Sequence, residues 1–330
     1  MNIGAVFADA ARAALDPIAI AFALAAIGLN VHFGFTGLLN FGQAGFMLVG
    51  AYGLAVTVAT FGGPMWLGIL MALGASVLLS LILGLPTLRL RADYLAIVTI
   101  AAAEILRIVF RSGWAAPVTG GAFGLQQFAN PFYALNPIPD GRYGVANWAY
   151  SERTLWLMVV GWSLVGLMVL LVWALMRSPW GRVLLAIRED EDAARSLGKN
   201  VYGYKMQSLV LGGLIGTLGG IVLAVNQQAV NPDTYQAIVT FFAYTALILG
   251  GTGRVFGPVI GAIMFQVVLS GFDSFLRRAI AGGVIPADVL ATQEVGIVRF
   301  ILVGVGLMLL MIFRPQGLFG NREELLLDAR

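Results

Sequence analysis

Long apolar runs alternate with short polar breaks along the whole chain. The clearest run is Thr154–Met176, "TLWLMVVGWSLVGLMVLLVWALM", 23 positions without a charge. A helix crosses the hydrocarbon layer with about 20 mostly apolar residues. Ala44–Phe61, Pro64–Leu85, Met206–Val225 and Val295–Phe313 qualify as well. Tyr94–Phe110 qualifies despite Glu104 and Arg107, whereas Pro17–Val31, Ala237–Gly250 and Val255–Gly271 are shorter or interrupted by glycine. Membrane β-strands show ten-residue alternation, and these runs are continuously apolar. The pattern predicts an all-α, polytopic membrane bundle forming one domain over residues 1–330. It has about nine spanning segments, eight to ten being compatible, some of them broken or re-entrant.

The polar breaks orient the bundle, because Lys and Arg favour cytoplasmic loops. Residues 177–205 carry six Lys and Arg, and the longer stretch 111–153 carries three. Residues 177–205 are therefore expected in the cytoplasm and 111–153 outside. Alternation then places "PTLRLRAD" (86–93) and the C-terminal "RPQGLFGNREE" in the cytoplasm. Arg277 and Arg278 break the rule by falling in an outside loop. Nine spans leave the N-terminus outside. The 111–153 loop is rich in Gly, Pro and Asn, which predicts irregular structure with short elements. Trp148, Tyr150 and Trp156 stand where an interfacial aromatic belt is expected.

Composition agrees. Apolar residues make up 59% of the chain and charged residues 11%, with 42 glycines. Soluble domains carry about 25% charged residues. No cysteine is present and His32 is the single histidine, so disulfides and His/Cys metal clusters are excluded. The N-terminus lacks the basic region and cleavage site of a removable leader. No phosphate-binding loop occurs: the one Gly-Lys pair, Gly198-Lys199, is followed by Asn200. No nucleophile elbow or zinc-protease motif occurs either. A membrane enzyme would show a catalytic cluster, and an ion-coupled transporter more buried acids. Uphill transport by this chain would draw its energy from another subunit.

Two glycine ladders put small residues at spacing four: Gly212, Gly216 and Gly220, then Gly253, Gly257 and Gly261. Such faces let helix backbones approach closely. The second ladder contains Pro258 and follows "GGTG", so a broken helix is the competing reading. "FGFTGLLNFGQAGFMLVGAYG" (33–53) is a similar glycine-broken passage in the other half, and paired breaks can mark a translocation site. Among membrane-embedded polar residues, Glu104 and Arg107 are three apart on one helix face, with Arg111 four further on. Both a structural ion pair and a gate fit them. Asn40, Gln43, Gln207, Asn226 and Gln266 fit either a polar path or helix-to-helix glue.

"GRVLLAIREDEDAARSLGKNVYGYK" (181–205) concentrates nine of the chain's 37 formal charges. "EDEDAARSLG" predicts a short helix. Glu189, Asp190, Glu191 and Asp192 stand at its positive end, Ala193, Ala194 and Leu197 make a small apolar face beside Arg195, and Gly198 closes it. Val183, Leu184 and Ile187 face the membrane side. A solvated loop helix and a partner-docking element both satisfy these features.

The same passage resembles the cytoplasmic loop of ABC-importer permeases of the branched-chain amino acid (LIV) family, M-type subunit. Ala193-Ala194 followed by Gly198 resembles the Glu-Ala-Ala…Gly coupling loop of importers, with Asp192 where that pattern has Glu. "GLNVHFGFTGLLNFGQAGFMLVGAY", "LRLRADYLAIVTIAAAEILRIV", "TGGAFGL", "LILGGTGRVFGPVIGAIM" and "RPQGLFG" resemble the family in the same order, over most of residues 28–320. Urea and short-chain amide permeases share much of this pattern. The resemblance implies a bacterial inner-membrane permease with a cytoplasmic C-terminus, pairing with a homologous H-type permease. It implies two ATPase subunits that use ATP and Mg, an external solute-binding protein, and docking through Glu189–Gly198. It implies no cofactor on this chain and no nucleic acid partner.

Overall fold

The computed structural model describes residues 3–88, 92–144, 149–282 and 294–313. The chain opens with α1 (Ile3–Ala13), followed by α2 (Pro17–Leu29), which widens into a π-turn over Asn30–Gly34. Next come α3 (Gln43–Ala55), with its own π-turn Val56–Thr60, then α4 (Met65–Thr87) and α5 (Ala92–Arg111). The following loop holds α6 (Ala116–Thr119), β1 (Leu125–Gln126), α7 (Asn130–Ala134), β2 (Arg142–Tyr143) and β3 (Tyr150–Ser151). The second half runs α8 (Glu152–Arg177), α9 (Pro179–Glu189), α10 (Glu191–Ser196) and α11 (Val201–Gln227). It ends with β4 (Ala229–Val230), a 3-10 turn at Pro232–Tyr235, α12 (Ala237–Gly250), α13 (Gly257–Ala281) and α14 (Val295–Phe313).

Among the described residues, six helices are long and apolar enough to cross a membrane: Pro17–Gly34, Gln43–Thr60, Met65–Thr87, Glu152–Arg177, Val201–Gln227 and Gly257–Ala281. The 14-residue α12 is a shorter apolar helix. α13 continues ten residues past Gly271, where the hydropathy pattern ended it. Ion pairs make that extension possible: Arg278 binds Asp9 of α1 at 2.7 Å, and Arg277 binds Asp273 at 2.7 Å. The two arginines that break the loop-charge rule are thus neutralised on a helix. The tail beyond residue 313, part of "PTLRLRAD" and Trp148 lie outside the described residues.

The helices are layered. α2, α3 and α11 form the interior, and α4, α8 and α13 bury only about a third of their residues. The reason is the glycine face of α11. A Cβ at Gly212 would collide with the His32 ring and the Gly28 carbonyl, one at Gly216 with the Gln43 amide, and one at Gly220 with the Met47 carbonyl. Gly213 and Gly219 are equally closed, by Phe46 and by the Ala21 carbonyl at 2.8 Å. Backbones in such contact exchange dispersion energy that lipid tails cannot match. In the second ladder, Gly257 and Gly261 pack on Gly250 and Ala246 of α12. Gly253 stands outside the helix, in the turn before it, at φ 72°. Pro258 takes the first turn of α13, where its missing N–H costs nothing.

The loop elements sort to two ends of the bundle. At one end, β1 pairs antiparallel with β4, Leu125 opposite Val230, which ties the long loop to the segment after α11. Tyr150 also reaches that end, donating its hydroxyl to the Arg12 carbonyl at 2.9 Å. The opposite end gathers the 35–42 turn, α9–α10 and the 251–256 turn.

Replacing Gly220 with Leu should lower the thermal unfolding midpoint in detergent, at a cost of roughly 1–3 kcal/mol or more from overpacking. Gly74→Leu on α4, where a Cβ meets nothing within 4 Å, should leave it nearly unchanged.

Candidate functional site

Three polar constellations stand out, and each starts from a local feature of the chain. The first lies in the interior. The turn 35–42, "FTGLLNFG", leaves the helix at Gly37, and its buried non-helical backbone is tolerated only where protein groups satisfy it. Asn40 supplies much of that satisfaction. Its Oδ1 accepts from the Gly42 amide at 2.9 Å, so its Nδ2 faces His32 Nδ1 at 3.0 Å and donates. His32 Nδ1 is then an acceptor, and the proton sits on Nε2, which donates to the Leu209 carbonyl of α11 at 3.1 Å. The ring is therefore neutral. Gln43 Nε2 reaches the Ala25 and Gly212 carbonyls at 3.2 and 3.4 Å. Thr36 and Ser208 share a 2.7 Å hydrogen bond, and Tyr244 donates to the Asn40 carbonyl at 3.1 Å. Asn40, Gln43 and His32 are all fully buried.

The second constellation caps the β1–β4 end. Arg107 donates through Nε to both Glu104 oxygens at 3.0 and 3.1 Å and through Nη2 at 2.5 Å. Its other arm binds Asp233 in the 3-10 turn, and Arg111 approaches the same carboxylate at 3.6 Å. Arg107 is mostly buried, and the two acids are half-exposed. Two cations and two acids thus join α5 to the segment that leads into α12. Sequence reading found three of these four residues. It missed Asp233 because that residue sits in a short loop far from α5, 126 positions away. The only signal was a lone acid in an otherwise uncharged connection.

The third constellation is the charged island. It is two helices rather than one. Glu189 ends α9, and Asp190 is the N-cap of α10, accepting the Asp192 and Ala193 amides at 2.9 Å each. Glu191 and Asp192 fill the first turn and bind Arg195 at 2.9 and 3.0 Å. Gly198 ends the run at φ 76°. The small apolar face expected of Ala193, Ala194 and Leu197 is divided. Ala194 is buried with Ile187 and Val201, whereas Ala193 is exposed and Leu197 is 79% exposed. Six residues make too short a helix for one continuous stripe, and the N-cap turns Ala194 inward. α9 is amphipathic and buries Gly181, Leu184 and Ile187 against the bundle. Lys205 of α11 binds Glu191, and Arg188 reaches the Gly34 carbonyl at 2.7 Å.

The remaining amides have other positions. Gln207 accepts from the Trp180 indole at 2.8 Å, and Gln266 is buried on α13. The Arg299 side chain lies outside the described residues.

An interior held by glycine contacts thus ends in an exposed, capped, charged helix. Residues 18–312 match the family described as the permease component of branched-chain amino acid transport systems. The chain belongs to that family. It is 30% identical over 302 residues to the high-affinity branched-chain amino acid transport system permease protein LivM of Salmonella typhimurium and to that of Escherichia coli. Those alignments cover 88% of this chain and 66% of each relative, so the chain spans about two thirds of their length. The probable branched-chain amino acid transport permease protein LivM of Methanocaldococcus jannaschii is 23% identical over 333 residues, covering 91% of this chain and 90% of that one. In this permease-family chain the three constellations are a buried hydrogen-bond network, a charge cluster at the β1–β4 end and an exposed capped helix.

A double-mutant cycle on Arg107→Ala and Asp233→Ala should return an interaction energy of about 0.5–3 kcal/mol from unfolding midpoints in detergent. Arg107→Ala alone should cost more than Asp233→Ala, because it leaves two carboxylates facing each other.

Proposed function

We propose that this chain is the membrane-spanning permease subunit of an ATP-binding-cassette importer that carries branched-chain amino acids. It pairs with a homologous H-type permease, receives substrate from an external binding protein, and is driven by two ATPase subunits that hold the ATP and Mg. It binds no cofactor of its own. The nine helices α2–α5, α8 and α11–α14 are its spans, with the N-terminus outside and the C-terminus in the cytoplasm of a bacterial inner membrane. In favour of the count, α5 and α14 are 20 and 19 residues long and α12 is bracketed by polar turns.

One observation carries the reading beyond family membership: α10 is a firmly capped helix that exposes Ala193, Arg195 and Leu197 at its surface. A solvated loop needs neither an exposed leucine nor Arg195 and Lys205 converging on Glu191. A docking helix needs both, an apolar contact for the partner and a rigid link to the spans. In this reading, Glu189–Gly198 contacts the ATPase. The charged closure Glu104–Arg107–Asp233 serves as the outer gate, and Asn40 and Gln43 brace the interior.

The test is reconstitution of the co-purified complex with labelled leucine and competition by isoleucine, valine and urea. ATP-dependent uptake displaced by the branched amino acids supports the proposal. Displacement by urea alone moves the substrate to the amide class, and robust gradient-driven uptake by this chain without ATPases sinks the importer reading. Leu197→Asp should abolish ATP-stimulated uptake while the permease inserts normally, because the side chain is already exposed and its loss costs the fold little. Glu104→Gln should slow uptake or impair assembly.

A further inference from the structure

We infer that Arg188 is the positioning residue that carries movement of the docking helices into the membrane spans. The inference rests on the docking role proposed for α9–α10. It starts from an accounting of one helix end. The last carbonyls of a helix have no partner within it, and buried ones must find partners elsewhere. At the end of α2, Asn30 O accepts from the Phe35 amide, and Val31 O accepts from one hydroxyl of the hydrogen-bonded pair Thr36–Ser208. His32 O accepts from the Leu38 amide and Phe33 O from the Gly37 amide. Gly34 O accepts from Arg188 Nη1 at 2.7 Å. A guanidinium from α9 therefore caps a carbonyl in the last turn of α2, with its charge near the negative pole of the helix.

The same side chain meets two turns. Its stem packs on Gly37, where a Cβ would lie 3.6–3.8 Å from the Arg188 Cα, Cβ and Cγ. Its Nη1 abuts Gly253, where a Cβ would lie 3.0 Å from that nitrogen and 3.4 Å from the Gly34 carbonyl. Both glycines have positive φ, 73° and 72°, which disfavours any residue with a side chain, and at Gly253 the space is tight as well. Asn30 closes the assembly, accepting from the Gly253 amide at 2.9 Å and donating to the Arg254 carbonyl at 2.8 Å. The turn between α2 and α3 and the turn between α12 and α13 thus meet around one arginine of the docking unit. Two residues before Gly34, the His32 ring reaches α11 through Leu209 and the 35–42 turn through Asn40.

Other contacts of α9–α10 do not do this. Leu184 and Ile187 pack without directionality, and Lys205–Glu191 reaches only the start of α11. Arg188 hydrogen-bonds the end of α2 and packs on the turns that join α2 to α3 and α12 to α13, whereas the Trp180–Gln207 bond reaches only α11. When the docking helices shift, the Gly34 carbonyl and the Gly253 turn follow them.

The experiment uses the assembled complex in proteoliposomes with Arg188→Ala and Arg188→Lys. Two quantities are read: leucine taken up per ATP hydrolysed, and amide hydrogen exchange at Gly37 and Gly253 without ATP. Arg188→Ala should accelerate exchange at both glycines and lower uptake per ATP at least about fivefold, the low end for coupling between distant sites. Arg188→Lys, which keeps a charged donor, should restore part of the uptake. If Arg188→Ala does not accumulate, Arg188→Gln takes its place with the same expectation. Wild-type uptake per ATP in the neutral variant, or unchanged exchange at both glycines, overturns the inference. A wild-type complex without ATP-driven uptake overturns the importer reading and the coupling role with it. The exchange measurement, which needs no transport, still shows whether the tie exists.

Discussion

Inside a bilayer an apolar side chain gains little by leaving lipid for another helix, so helix association depends on close backbone contact and on polar groups with no better partner. α11 meets both demands. Its glycines bring its backbone against α2 on one side and α3 on the other, close enough that a single Cβ would part them. The same closeness brings the Gly212 and Leu209 carbonyls within reach of Gln43 and His32. The remaining helices are arranged around this triple contact.

Close packing also permits the irregular backbone that the bundle contains. The 35–42 turn is stable because His32, Asn40, Thr99, Thr240 and Tyr244 give its amides and carbonyls, and those of its flanks, partners of fixed direction. A neutral His32 is required there. A second ring proton would face the Asn40 amide, donor against donor, in a fully buried site. The scarcity of buried charge in the interior and its concentration at the bundle ends follow from the same cost of desolvation.

The long, uniformly apolar helices were legible from hydropathy, since nothing but a spanning helix accommodates 23 uncharged residues such as Thr154–Met176. The α11 ladder was legible for a related reason, because glycine at spacing four has few other uses. Features set by partners distant in the chain were not legible. Asp233 completes the Arg107 cluster, Arg188 completes the end of α2, and Asp9 allows α13 to run on through Arg278. Asp233 is a lone acid in a short loop, Asp9 a lone acid within α1, and Arg188 one charge among the nine of residues 181–205; no local pattern names their distant partners. The face of α10 was misjudged because a helical wheel assumes several turns, whereas Asp190 and a six-residue length decide which side turns inward.

The two charged ties have one element in common. α12 follows the turn that Arg107 holds through Asp233, and it ends at the turn where Gly253 meets Arg188. At about 1.5 Å per residue its 14 residues span roughly 21 Å, short of a full crossing. Both of its ends are therefore polar turns rather than lipid-anchored termini. Alternating access needs an element with two discrete positions, each favoured by different contacts. At one end of α12 the contact is the Arg107–Asp233 ion pair, and at the other the Gly253 turn packs on Arg188, whose hydrogen bond goes to the Gly34 carbonyl at the end of α2.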